Sequence, residues 1–405
     1  MNRKQVGAWA LFDFANSVYP AVITTVVFQY YFIHAVVGND ELQGDWYWGQ
    51  AVSLSALIVA LSSPLLGAIA DRAGVRKKFL LLYVAICVTG VALFTTIEPG
   101  MVMRAFVLFV IANVGFEGAM VFYNAYLPDI APPEKQGWVS GLGFGVGYLG
   151  SAIGILLSLP FVRAGNMDAV WLMVVAFFVI FSLPSFLILP KDEPGSMTVA
   201  GAAKWGITSF RQILDEVLRE KELRRFLLAF FFYIDGVLTA IVMAMTLATT
   251  TFGLTQTEGT VLFLILQFSA LIGAFALAKP TDRYGPKKVL TGVLVLWIVA
   301  ALSIYFVTSK EAFYVLAMGA GLGLGSAQAA SRAFMASLIP DGREAEMFGF
   351  YSLCGRSSSV IGPMLFGYVA VVTGNQRFAV MAISILFITG MLLLQRVKDP
   401  KAAAA

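Results

Sequence analysis

The chain has 405 residues, 59% of them hydrophobic and only 13% charged, at a formal net charge of +4. Ordinary soluble proteins carry about a quarter charged residues, so no soluble globule of this length hides so much apolar surface. The excess positive charge is spread over short connecting segments, which argues against nucleic-acid binding; two cysteines and one histidine are too few for a disulfide framework or a His/Cys metal centre.

The apolar residues come in runs of about 20, the length that crosses a hydrocarbon core some 30 Å thick at 1.5 Å per residue. Inside hydrocarbon every backbone amide has to be satisfied within its own segment, so each run is expected to be helical. Twelve spans are expected, near 7–36, 46–70, 79–97, 102–127, 138–160, 169–190, 225–250, 258–279, 288–308, 312–338, 346–373 and 378–396. The first carries Asp13 and Asn16 and lacks a small-residue cleavage pattern, so it is expected to persist as a span and not to be removed as a signal peptide. His34 falls near its outer end, and Cys87 and Cys354 lie inside runs as small core residues. The run Ala402 to Ala405 after Lys401 is a tail outside the expected fold.

Lysine and arginine between the spans set the orientation. Of the 28 basic residues, only Arg104, Arg163, Lys310 and Arg377 fall on one side, Arg332 and Arg356 lie inside spans, and the remainder fall on the other side. Both termini are therefore expected in the cytoplasm. The one longer polar stretch follows the sixth span and divides the chain into an N-terminal six-helix bundle at 1–190, a linker at 191–223 and a C-terminal six-helix bundle at 224–400. In the linker Phe210, Ile213, Leu214, Val217 and Leu218 recur at helical spacing opposite Arg211, Asp215, Glu216, Arg219 and Glu220. That is the pattern of an amphipathic helix on the cytoplasmic leaflet, or of a solvated linker helix.

A repeat runs through the chain. Gly67-x-x-x-Asp71-Arg72-x-Gly74-x-Arg76-Lys77-Lys78 joins spans two and three, and Asp282-Arg283-x-Gly285-Pro286-Lys287-Lys288 joins spans eight and nine. Pro128-Asp129 closes span four and Pro340-Asp341 closes span ten, at an offset that differs by one residue. Two pseudo-symmetric halves follow. As chemistry, the motif is a tight turn: glycine permits the chain reversal, the basic run stays in the anionic-lipid interface, and the aspartate can accept hydrogen bonds from a nearby helix N-terminus. The second copy has Ala278 where the first has Gly67, which weakens close helix packing there but not the turn.

The first copy resembles the signature loop of the major facilitator superfamily. Within it, Trp9-Ala10-Leu11-Phe12-Asp13-Phe14-Ala15-Asn16-Ser17, the stretch Phe122-Tyr123-Asn124-Ala125-Tyr126-Leu127-Pro128-Asp129 and the stretch Gly342-Arg343-Glu344-Ala345-Glu346-Met347-Phe348-Gly349-Phe350-Tyr351-Ser352 resemble the bacterial UMF1 branch, related to the fungal vacuolar effluxer autophagy-related protein 22. The resemblance spans nearly the whole chain. It implies an all-α integral membrane transporter of twelve helices in which spans one, four, seven and ten line a cavity. For the fungal relative it implies export of neutral amino acids, and it names no substrate here.

Ionisable residues inside spans are expensive, so each is a functional candidate. Five stand out: Asp13, Glu117, Asp235, Arg332 and Arg356, all roughly 10 to 17 Å from the cytoplasmic ends at 1.5 Å per residue. Asn16 shares a face with Asp13, Asn113 and Asn124 with Glu117, Thr239 with Asp235, and Gln328 with Arg332. Three acids against two arginines leave one carboxylate over, and a buried carboxylate without a partner tends to hold a proton. Asp13, Asp235 and Glu117 are the proton-carrier candidates; the rival is that Glu117–Arg332 and an Asp–Arg356 pair only lock helices together. Arg356, followed by Ser357, Ser358 and Ser359, suits an anionic group such as a carboxylate.

Glycines crowd span five (Gly141, Gly143, Gly145, Gly147, Gly150, Gly154) and span ten (Gly319, Gly321, Gly323, Gly325), permitting close helix approach. The expectation is a multi-pass transporter of a bacterial inner membrane, monomeric and without cofactor. It moves a small polar or amphipathic molecule by alternating access, with proton-coupled efflux of amino-acid-like cargo, while Gly67, Asp71, Arg72, Gly74, Arg76, Asp282, Arg283 and Gly285 gate the motion. An uncoupled facilitator and a membrane sensor or scaffold that moves nothing are the alternatives. No nucleophile and base pair, metal cluster or phosphate loop points to an enzyme.

Overall fold

A computed structural model describes residues 1–38, 41–358 and 361–399. Among them the regular structure is helical throughout: α1 (Arg3–Asn16), α2 (Phe28–Tyr31), α3 (Glu41–Ala73), α4 (Arg76–Ala92), α5 (Val102–Asn124), α6 (Leu127–Ile130), α7 (Gln136–Arg163), α8 (Met167–Ile188), α9 (Val199–Thr208), α10 (Phe210–Arg219), α11 (Lys221–Thr250), α12 (Gln256–Tyr284), α13 (Pro286–Ser303), α14 (Lys310–Leu338), α15 (Glu344–Ser357), α16 (Ile361–Thr373) and α17 (Gln376–Gln395), with short π- and 3-10 turns between some of them.

Eleven helical runs among the described residues are long and apolar enough to cross a membrane, where twelve were expected. The twelfth expectation, 346–373, is described as α15 up to Ser357 and α16 from Ile361; Ser359 between them, the end of the expected C-terminal bundle at Pro400, and the Lys401 to Ala405 tail lie outside the described residues. The first span is irregular. Between α1 and Val37 it winds as two π-helical stretches, Tyr19–Val26 and Phe32–Val37, the first opened by Pro20, whose missing N–H suits a helix start.

Apolar side chains lie on the outside as well as the inside. Leu61, Leu187 and Val371 are 64%, 73% and 84% exposed, a surface that suits lipid and not water. Several helix starts are capped by short polar side chains that meet the unpaired first-turn N–H groups. Asn166 accepts from Ala169, Ser309 from Ala312, Asn375 from Arg377, and Thr255 with Glu258 forms a reciprocal capping box on α12.

By packing the chain divides into two units. Unit 1 comprises Met1–Ile130, Val146–Thr208 and Asp341–Leu353; unit 2 comprises Ala131–Gly145, Ser209–Pro340 and Cys354–Ala405. Each therefore takes in a short segment from a distant part of the sequence. In unit 1 the core is aromatic: the ring of Phe28 stacks on Phe94 at 4.1 Å and lies edge-on to Trp171, and Trp48 meets Phe109 at 4.4 Å. In unit 2 Phe226 meets Phe334 at 4.8 Å and Phe252 stacks on Phe313 at 4.5 Å. The amphipathic segment forms α10, which buries Ile213 and Val217 in unit 2 and leaves Phe210, Leu214 and Leu218 exposed.

Candidate functional site

In unit 1 the polar residues of the spans converge on α1, α3 and α5. Asp13 and Asn16 are both 3% exposed, and Asn16 Nδ2 donates to Asp13 Oδ1 at 3.5 Å. Glu117 and Asn113 are buried on α5, and Asn113 Nδ2 donates to the Ser55 hydroxyl of α3 at 2.7 Å. Trp9 and Tyr123 clasp α1 to α5: each donates from its ring to the other's backbone carbonyl, at 3.0 and 2.9 Å, and the rings stack at 4.6 Å. The Tyr19 ring stacks on Phe116, and its buried hydroxyl has no hydrogen-bond partner among the described residues. Gly147 and Gly150 let α7 lie directly on the Asp13 and Phe14 carbonyls. Asn124, on the same helix as Glu117, is only half-buried.

In unit 2 a carboxylate of α11 holds a backbone donor of α16. Asp235, 0% exposed, accepts from the Gly362 N–H at 2.8 Å and from the Thr239 hydroxyl at 3.3 Å. Position 362 has to be glycine, because a Cβ there would collide with Thr239 Oγ1 and stand 2.7 Å from Asp235 Oδ1. No cation pairs with Asp235 among the described residues. Arg332 of α14, 1% exposed, donates from Nε to the Ser140 hydroxyl at 2.9 Å and from Nη2 to the Ser140 carbonyl at 2.8 Å, and its guanidinium lies over the Phe144 ring at 4.0 Å. Ser140 in turn donates to the Ala329 carbonyl at 2.7 Å. Gln328 and Arg356 are half-buried; Ser357 is exposed and Ser358 buried.

The two loop motifs share one device. Asp71 accepts from the N–H groups of Ala345 and Glu346, at 3.2 and 2.8 Å, in the first turn of α15 in unit 1. Asp282 accepts from the N–H groups of Gly137 and Trp138, both at 2.8 Å, in the first turn of α7 in unit 2. Each carboxylate meets two first-turn donors that lack an intrahelical partner, at the positive end of a helix dipole. Gly74 and Gly285 turn the chain at φ +62° and +86°, where a side chain is strained.

The copies then diverge. Arg76 gathers Asp129 at 2.9 Å, Glu344 at 3.4 Å and Asp71 at 3.8 Å, together with the Ala125 carbonyl at 3.2 Å. Its counterpart Lys287 meets, among the described residues, the carbonyls of Gln395 and Val397. Arg72 stacks on Trp205 of α9 at 3.5 Å, whereas Arg283 is exposed beside Tyr284. Close packing survives at the second copy despite Ala278: a Cβ on Gly67 would strike the Ala345 carbonyl, and in unit 2 the small residue is Gly141 on the opposing helix, facing Ala278.

Sequence reasoning named neither Ser140, Ser55 nor Gly362 as site residues, and nothing in a lone serine or glycine marks it. Asp129 and Glu344 carried a signal, since both stand in motifs quoted above, as does Arg76, yet that Arg76 is their common partner became visible only in three dimensions.

A family model described as vacuole effluxer Atg22 like matches residues 49–405. The chain belongs to that family. Among curated proteins, this Atg22-like chain is similar to the MFS-type transporter YxiO of Bacillus subtilis, 31% identical over 98% of this chain and 95% of that one. It is also similar to autophagy-related protein 22 of Coccidioides immitis, 24% identical over 84% of this chain and 71% of that one. Among solved structures it is similar to the human organic anion transporter MFSD10, with a TM-score of 0.77 and 18% identity over 98% and 100% of the two chains. The fold is thus that of the major facilitator superfamily, and the Atg22-like chain is a multi-pass membrane transporter, not an enzyme.

Proposed function

We propose that this transporter is a monomeric secondary carrier of a bacterial inner membrane, with both termini cytoplasmic, that exports a small polar, amino-acid-like or amphipathic metabolite by alternating access coupled to protons. Asp235 carries the proposal. A wholly buried carboxylate with no cation beside it among the described residues is costly as an anion, and a bound proton relieves that cost. Its charge also governs its hold on α16, since an ionised acceptor makes a stronger hydrogen bond to the Gly362 N–H than a neutral one. Loading and releasing a proton at Asp235 therefore changes how firmly α16 is held. Asp13 and Glu117 are the further carboxylates of the path, and the half-buried Arg356 suits the carboxylate end of the cargo. The description of the family as vacuole effluxers supports carriage of a solute across a membrane. The Asp71 and Asp282 loops act as latches, whose grip on the α15 and α7 N–H groups is released once in each cycle.

The test is an amino-acid panel in proteoliposomes with an imposed pH gradient. The unaltered protein is expected to accumulate a labelled substrate uphill, and Asp235→Asn to retain downhill exchange while losing uphill movement. Downhill movement alone in the unaltered protein identifies an uncoupled facilitator. No movement of any panel member, with activity indifferent to neutralising Asp13, Glu117 and Asp235, identifies a sensor or scaffold.

A further inference from the structure

In unit 1 the segment that follows α8 returns onto the loop between α3 and α4. The Met197 N–H donates to the Arg72 carbonyl at 3.2 Å, and a Cβ on Gly195 would strike the Ala73 backbone, so this strap lies directly on the end of α3. From there α9 runs back along α3. Its small residues Ala202 and Gly206 are buried, Gly206 against Leu65 and Ile69, and the Trp205 ring lies 3.5 Å from the Arg72 guanidinium. Leu65 stands seven residues inward of Arg72, about 10 Å at 1.5 Å per residue. α9 therefore dips from the loop towards the middle of the span, and at its inner end Ile207 is 69% exposed.

Arg72 is held in place by a ring and not by an acid. Among the described residues no acceptor meets any N–H of its guanidinium; its Nε is buried, while the two Nη groups reach the surface of a half-buried side chain. The neighbouring carboxylates are engaged elsewhere. Asp71 holds the Ala345 and Glu346 N–H groups, and Asp192 accepts from the Lys77 N–H at 2.8 Å and from the Tyr126 hydroxyl at 3.2 Å. Glu193, exposed on the strap, makes no ion pair with Arg72. A stacked guanidinium whose fork is free matches a phosphate, which it meets with two parallel hydrogen bonds. Lys204, exposed next to Trp205 in the chain, adds a second cation. Depth then distinguishes the kind of phosphate. A cation at the loop, an aromatic ring beside it and exposed apolar side chains about two turns further in follow the order of a phospholipid from headgroup to chain. Leu61, on the same face of α3 as Leu65 and Arg72, is 64% exposed and carries the apolar surface deeper.

We propose that the Arg72 fork, backed by Trp205, binds the phosphate of an anionic phospholipid whose chains lie against Ile207 and Leu61. The site lies wholly within unit 1 and stands or falls independently of proton coupling at Asp235. Its duplicate Arg283 is exposed beside Tyr284 in unit 2 and provides the control within the same chain.

The test is native mass spectrometry of the full chain in a neutral detergent, with dioctanoyl phosphatidylglycerol as the probe and dioctanoyl phosphatidylcholine as its zwitterionic counterpart. A saturable phosphatidylglycerol adduct is expected, half-filled at about fivefold lower concentration than the phosphatidylcholine adduct, the worth of one charge near a surface. Arg72→Gln and Trp205→Leu are each expected to raise the half-filling concentration about fivefold, while Arg283→Gln, which removes the same charge from the other loop, leaves it unchanged. Equal filling in the unaltered chain, Arg72→Gln and Trp205→Leu overturns the proposal, and so does an equal loss in Arg283→Gln or equal retention of the two lipids. Should Arg72→Gln fail to fold, Arg72→Lys still decides, because it keeps the charge and loses the planar fork: weaker retention is expected, and unchanged retention overturns the fork as the binding group. Inorganic phosphate separates the sources. It is expected to leave the lipid in place at millimolar concentration, and displacement would assign the fork to a free anion and overturn the lipid.

Discussion

Changing Asp282 to asparagine keeps the size of the side chain but removes its charge and one of its two acceptor oxygens. The carboxylate holds two N–H groups of α7, Gly137 and Trp138, each at 2.8 Å. The bond that passes to the neutral amide oxygen loses about 1 kcal/mol and the other, its acceptor replaced by an NH2 group, loses at least about 1 kcal/mol, so the pair amounts to about 2 kcal/mol or more. Asp282 is half-buried, and water standing in for the lost charge reduces this to about 1.4 kcal/mol, a tenfold change in an equilibrium constant. Hydrogen–deuterium exchange reads it directly: in Asp282→Asn the Gly137 and Trp138 amides are expected to exchange about tenfold faster. The Ala345 and Glu346 amides, held by Asp71 in the other unit, should keep their rate. Unchanged exchange at 137 and 138, or equal acceleration at both loops, would refute the idea that the carboxylate is a local latch.

Gly362→Ala is expected to dislodge Asp235 and abolish transport, at a stability cost of about 1–3 kcal/mol for the overpacked contact with Thr239; unfolding midpoints measure the cost, and Thr239→Ala in the same chain should recover part of it. The Glu258 carboxyl is held down to about 2, from its usual 4.5, by the Thr255 N–H and then by Lys310. A depressed acid stabilises the fold above its unfolded value and loses that contribution as pH falls from 4.5 towards 2, so Glu258→Gln should flatten the acid limb of a stability profile there, and an unchanged limb would dismiss the capping box as a contributor.

Much of the fold was legible because the bilayer imposes a coarse rule: about twenty apolar residues, helical, with basic ends. The Asp235 contact shows where that rule stops. The stretch 346–373 has the right length, and Arg356 with Ser357 and Ser358 was readable as a polar patch inside it. That its Gly362 N–H would be held by a carboxylate on α11, more than a hundred residues earlier, was not. The same holds for the latches. Asp71 and Asp282 announced themselves by repetition, but which helix each would hold is a matter of tertiary packing that no local pattern encodes. Arg332 was conspicuous as a charge, while Ser140, which receives two of its hydrogen bonds, is one serine among many.

The glycine that changes sides between the two loops bears on descent. In one copy the small residue sits beside the aspartate's own helix, at Gly67; in the other it sits opposite, at Gly141, facing Ala278. After a gene duplication the two copies have therefore ceased to be interchangeable parts. Across the family, side-chain size at 278 and at 141 is expected to covary as a pair, and a loop transplanted alone from one half to the other would arrive without the neighbour that makes room for it.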